Sequence, residues 1–214
     1  MDIYLSSAYL APIQYYSKFL EAEHIFIEKH ENYIKQTYRN RCSILSANGK
    51  ISLSIPVVHS SKDKIQTKDI RIADHGNWQH MHWNAIISAY NSTPFFEYYQ
   101  DDFYPFYHKK YDFLFDFNEE LRMLIMKLLH VDSPVDYTTN YKVNFVENEI
   151  DMRELIHPKV DWKMIDMDFI SIPYYQVFEQ KFDFTDNLSI IDLLFNMGNE
   201  SLLILNNSVQ KKLG

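Results

Sequence analysis

The apolar pattern opens with Ile3-Tyr4-Leu5, a short run of strand type, and continues with Ile13, Tyr16, Phe19 and Leu20 at helical spacing. Pro12 fits the first turn of that helix, because proline has no N–H to satisfy. His24-Ile25-Phe26-Ile27-Glu28 then carries the β-branched and aromatic content of a second strand. A strand, a crossover helix and another strand make a βαβ unit with parallel strands. Ligands of such sheets favour the carboxyl ends of the strands, where Ser6-Ser7-Ala8-Tyr9 and the stretch from His30 fall.

Cys42–Leu45 and Lys50–Val57 flank Ala47-Asn48-Gly49, and Asn-Gly is a strong hairpin signal. Ile51, Leu53, Ile55 and Val57 alternate with polar residues, so one face of that arm is expected to be buried. His59 to Lys68 reads as a polar loop closed by Ile70-Arg71-Ile72. A helix is expected from Trp78 to about Tyr90, capped by Asn77 or Asp74 and ended before Pro94. Aromatics crowd positions 95–117 so densely that they are not all expected in the core, and some should line a surface or cleft. Asp116 and Glu119 form a capping box for an amphipathic helix carrying Phe117, Leu121, Leu124, Ile125, Leu128 and Leu129. Residues 132–171 are irregular and read as a lid or extension, with Tyr137-Thr138-Thr139 as a short strand. Tyr174–Phe178 reads as an apolar unit before a helix capped by Asn187, with Gly198 as its C′ residue. The pattern predicts an α/β fold: a single domain with an N-terminal βαβ unit, a β-hairpin and helices in the C-terminal half. Residues 1–131 form the expected core with its polar site, and 132–214 an irregular extension with helices packed on the same domain.

Composition narrows the function classes. Hydrophobic residues are 46% and charged ones 23%, as in ordinary globular proteins. A net charge of -8 argues against general nucleic-acid binding, which needs a cationic surface. The lone Cys42 permits no intrachain disulfide, and with no basic, apolar leader at the N-terminus and no membrane-spanning run a cytoplasmic location is expected. The four glycines are isolated, so neither a P-loop nor a dinucleotide loop is present; other nucleotide sites stay open, and the sequence names no cofactor either way.

The leading candidate site is His30–Arg41. If extended, it puts Lys35, Arg39 and Arg41 on one face, able to fork a carboxylate or phosphate, with Asn40 beside them; the bland alternative is a solvated strand end. Cys42 is either a nucleophile activated by those cations or a small buried residue. His82, next to Trp83, is a candidate general base or a satisfied structural histidine. His157 and Lys159 lie on an irregular segment of the kind that carries binding groups, or on a solvated turn. His80 and His82 lack the spacing for a shared metal on a helix, so no metal site is expected.

Lys35-Gln36-Thr37-Tyr38-Arg39-Asn40-Arg41, Trp78 with His82-Trp83, Tyr90 with Pro94-Phe95-Phe96, His157-Pro158-Lys159, and Tyr175-Gln176-Val177-Phe178 with Asn187-Leu188-Ser189-Ile190 together resemble the WbqC-like protein family. The resemblance covers nearly the whole chain. It departs from the family's usual Gln-Pro entry after the first strand, having Ser7-Ala8-Tyr9-Leu10-Ala11-Pro12. It implies a role in bacterial surface polysaccharide (O-antigen) biosynthesis, a glycine transferase role having been suggested for one member of the family, and the residues themselves are compatible with an acyl or aminoacyl transfer to an amino sugar. On that reading, Lys35, Arg39, Asn40, Arg41, Trp78, Tyr90 and Lys159 contact an anionic or sugar-containing small molecule, and His82 or His157 is the base. The alternative is a non-catalytic binding or assembly protein that uses the aromatic band as an oligomer interface. A third, nucleotidyl-transfer reading rests on the βαβ unit alone.

Overall fold

The structure is a computed structural model that describes residues 1–58 and 64–210. Strand β1 (Asp2–Ser6), helix α1 (Ile13–Glu21) and strand β2 (His24–Glu28) form the expected βαβ unit, with the strands parallel and Ile3 opposite Ile25. The hairpin β3 (Arg41–Ser46) and β4 (Gly49–Ser54) turns where expected, and Gly49 supplies a φ of +102° that other residues rarely adopt. Strands β5 (Val57–Val58) and β6 (Arg71–Ile72) pair antiparallel beside it.

Four helices lie in the middle of the chain or just beyond it: α2 (Trp78–Tyr90), α3 (Phe96–Phe103), α4 (Leu114–Leu128) and, after two more strands, α5 (Trp162–Ile165). Those strands are β7 (Val135–Tyr137) and β8 (Glu149–Asp151). Both run parallel to β1 and β2 in one sheet of order β7-β2-β1-β8. The stretch 132–171, expected as a lid or extension, therefore supplies two strands to the central sheet. The short strand expected at Tyr137-Thr138-Thr139 is present two residues earlier as β7, whereas the three-residue length of β8 hid it from a periodicity reading. The chain ends in α6 (Glu179–Phe182), α7 (Ile190–Met197) and α8 (Ser201–Asn207).

Several helix starts differ from expectation. Asn77 precedes α2 in the left-handed region, at φ 46°, and makes no side-chain cap. Helix α4 begins at Leu114, and Glu119 is not a capping group; its carboxylate is buried and accepts from Arg122 Nε at 2.8 Å. Asn187 caps α1 rather than α7, since its Oδ1 accepts the Gln14 N–H at 3.0 Å. Gly198 does end α7 with a positive φ, and a Cβ there would lie 2.5 Å from the Phe95 ring.

Most of the aromatic band is core. Phe96, Tyr99, Phe103, Tyr107 and Phe117 are buried, with Phe96 and Phe103 both edge-on to Phe195, whereas Tyr98 and Tyr104 are exposed. Phe96 is thus closed to a partner, whereas Phe95 is half-buried. Among the described residues, no helix is long and apolar enough to cross a membrane.

Candidate functional site

The polar stretch that follows β2 is not extended. It runs through turns, with Gln36 in the left-handed region at φ 61°, so Lys35, Arg39 and Arg41 do not form one alternating face. Backbone bonds from Tyr33 N–H to Ile65 and from Thr67 N–H to Glu31 pin its first half against residues 65–67. Its second half is held by Tyr9 N–H on the Tyr38 carbonyl and by Asn118 Nδ2 on the Arg39 carbonyl, each at 2.8 Å. These bonds turn the Arg39 side chain inward.

Arg39 lies over the carboxyl end of β1, and its side chain is only 2% exposed. Its Nε donates to Glu31 Oε1 at 2.7 Å; its Nη2 meets Glu31 Oε2 at 2.6 Å, Glu154 Oε1 at 2.6 Å and Ser6 Oγ at 2.9 Å. A second arginine is built in beside it. Arg153 follows β8, forks Asp151 through Nε and Nη2 at 2.7 Å each, and donates from Nη1 to Glu28 at 2.9 Å. Glu28 is fully buried at the end of β2 and also accepts from Thr138 Oγ1 and from the His30 N–H, both at 2.7 Å. Burial pushes the Glu31 carboxyl up from its ordinary value, while Arg39 and Ser6 pull it back; burial pulls the Arg39 guanidinium down, but the Glu31 and Glu154 carboxylates outweigh it and hold its pKa above the ordinary value.

This network carries four carboxylates, of Glu28, Glu31, Asp151 and Glu154, against the guanidiniums of Arg39 and Arg153. It borders an open cleft of ≈ 470 Å³ lined by His30, Glu31, Asn32, Ile34, Gln66, Tyr141 and Glu154. The Glu154 side chain is 55% exposed, and its Oε2 has no hydrogen-bond partner among the described residues. Tyr141 is half exposed with the Arg153 guanidinium 4.7 Å from its ring centroid.

The remaining sequence candidates fall into two groups. His157 and Lys159 come close to the network: Lys159 Nζ donates to Gln36 Oε1 at 2.9 Å, and burial lowers the His157 pKa, with Glu154 opposing and Arg39 and Lys159 reinforcing the shift. The backbone N–H of Lys159 donates to His157 Nδ1 at 3.0 Å, so the neutral ring keeps its proton on Nε2 and offers a donor rather than a base. Lys35 is exposed, Asn40 Nδ2 binds the Ile55 carbonyl at 2.8 Å, and Arg41 Nε binds Ser54 Oγ at 3.1 Å. Arg39 alone of the three cations sits in the network, and it faces the protein's own carboxylates.

His82, Trp78 and Tyr90 belong to the core, away from the cleft lining. His82 Nδ1 lies 3.0 Å from the Tyr9 hydroxyl, which in turn lies 2.9 Å from the Tyr107 hydroxyl. Burial lowers the His82 pKa to about 4, with the Ser54 backbone opposing the shift. Trp78 packs edge-on against His82 and Phe117. Tyr90 donates to Asp192 at 2.9 Å, as Tyr174 does at 2.6 Å. Cys42 is buried in β3, which pushes its thiol up and leaves it a small core residue.

Sequence reasoning missed Glu28, Arg153, Glu154 and Tyr141. The available signal was Ile150: read as a strand, it would have put Arg153 and Glu154 at a carboxyl end beside Ser6. Among the described residues, no three of His, Cys, Asp and Glu converge to hold a metal ion. No curated protein and no solved structure matches the chain. The model of the WbqC-like protein family matches residues 7–204, and the chain belongs to that family.

Proposed function

We propose that this protein acts in bacterial surface polysaccharide biosynthesis, as a cytoplasmic protein that takes an amino sugar in the cleft beside Arg39 and transfers an aminoacyl group to its nitrogen. The observation that carries this reading is the charge of the network: four carboxylates against two guanidiniums leave an excess of negative charge, and Glu31 and Glu154 bring it to the cleft wall. A ligand ammonium is the complementary group. His30, Asn32 and Gln66 offer side-chain partners for sugar hydroxyls, and the Tyr141 ring offers a face for the apolar side of a pyranose.

In this reading Glu154 Oε2 holds the ammonium. Glu154 takes one proton from it to free the nitrogen lone pair, the amine attacks the carbonyl of an activated aminoacyl ester or thioester, and as the C–N bond forms the acyl C–O or C–S bond breaks and the leaving alcohol or thiol carries off the second nitrogen proton. Arg39 positions both carboxylates. Calorimetric titration with free amino sugars and their N-acetylated counterparts tests the binding half. Micromolar to millimolar binding of the amines, with none of the N-acetyl forms, is expected; equal binding of both would remove the ammonium from the account.

A further inference from the structure

We propose that the crevice between Arg39 and Arg153, at the carboxyl ends of β1 and β8, binds a monoanionic carboxylate of a ligand, which replaces the Glu154 carboxylate on Arg39. The inference shares its location with the amino-sugar reading but does not depend on the sugar. In the sheet order β7-β2-β1-β8, successive strands leave β1 in opposite directions, so β1 and β8 flank the point where open α/β sheets take ligands. The usual anion donor at that point, the N-terminus of the first helix, is closed here. The Ile13 N–H binds the Leu188 carbonyl at 3.0 Å and the Gln14 N–H binds Asn187.

The guanidiniums take over as donors. Both arginines line a small cavity of ≈ 10 Å³, room for one oxygen of a carboxylate, together with Ser6, Ser7 and Tyr38, while Glu154 reaches Arg39 from the adjoining larger cleft, where the rest of the ligand would lie. Ser7 is fully buried, and its Oγ has no hydrogen-bond partner among the described residues. A buried hydroxyl without a partner costs about 1–3 kcal/mol, which an incoming oxygen would relieve.

Glu154 is the group built to leave. Arg39 Nη2 has two hydrogens and three oxygens within 2.9 Å, so it stays satisfied by Glu31 and Ser6 when Glu154 departs. Glu154 stands on a turn with an exposed side chain at the open cleft, so it can swing out into solvent. With Glu154 turned out into solvent, where its charge is screened, a ligand carboxylate gives Arg39 back the one negative charge it has lost. A phosphate dianion would add a further negative charge to a network already in excess, so carboxylate is the favoured class.

The test is an NMR titration of ¹³C-labelled acetate, matched for ionic strength with sodium chloride, with inorganic phosphate as a second arm. Glu154→Ala is expected to bind acetate saturably and at least tenfold more tightly than the unsubstituted protein; adding Ser7→Ala weakens that binding severalfold, and Glu200→Ala on a remote surface gives no gain. Glu154→Gln, of unchanged size, gives a smaller gain in the same direction and serves if the alanine variant does not fold. Folded variants without saturable acetate binding, binding insensitive to Ser7→Ala, or phosphate bound more tightly than acetate would overturn the proposal. No amino sugar is present, so this outcome and that of the sugar titration are read separately.

Discussion

Arg39 forks Glu31 from inside the protein, Nε on Oε1 at 2.7 Å and Nη2 on Oε2 at 2.6 Å, so the cation expected to hold a ligand's anion is already held. Breaking a buried pair from one side leaves an uncompensated charge, which costs about 3–5 kcal/mol. Arg39→Met is expected to lose stability of that order in urea denaturation. Adding Glu31→Gln recovers much of the loss, because the stranded charge is then gone. Arg39→Lys recovers less than its charge would predict, since an ammonium cannot reproduce the fork.

The aromatic band gives a second prediction. Phe96 is buried against Phe195 and Trp83, whereas Tyr98, two residues on, is 76% exposed. Phe96→Ser should cost about 3–5 kcal/mol in denaturant unfolding, as other large-to-small aromatic truncations do. Tyr98→Ser should stay within about 0.5 kcal/mol of the parent. A Phe96 variant that keeps full stability while changing its light scattering would return the band to the role of an interface.

Two buried groups set opposing pH dependences. His82 has its pKa lowered from 6.5 to about 4, so its contribution to stability is complete above 6.5 and is lost as pH falls towards 4. Asp192, buried among Tyr90, Tyr174 and Gln176, has its pKa raised from 3.8 to about 6, so its contribution is complete below 3.8 and is lost as pH rises through 6. Each shift of about two units is worth on the order of 3 kcal/mol. Between pH 4 and 6 the two slopes offset each other. Relative to the parent, Asp192→Asn should gain stability more steeply with rising pH across that window, and His82→Gln should lose it more steeply. Urea midpoints from pH 4 to 6.5 check both signs; parallel curves for the three proteins would contradict them.

How much was legible follows from the range of each interaction. The βαβ unit and the hairpin announce themselves through local period and turn chemistry, from Ile3 to Ile27 and at Asn48-Gly49. Strand β8 did not, because three residues carry no period and its pairing with β1 spans well over a hundred positions. The polar stretch after β2 was found by composition, yet its geometry was misread: alternation assumes an extended backbone, and Gln36 turns it. Arg39 was named for its charge; its partner Glu154 comes from a segment that only the sheet brings near. Trp78, His82 and Tyr90 stood out as polar or aromatic groups in a helix, and their hydroxyl, imidazole and ring partners proved to be core residues from distant elements.

The central claim is that Glu154 reads a ligand ammonium at the cleft beside Arg39. The most direct measurement is calorimetric selectivity: the affinity of an amino sugar divided by that of its N-acetyl form, in the parent and in Glu154→Gln. The account predicts a ratio of at least about tenfold in the parent, falling towards one in the variant while its unfolding midpoint stays near the parent's. A ratio unchanged by Glu154→Gln in a folded protein would contradict it.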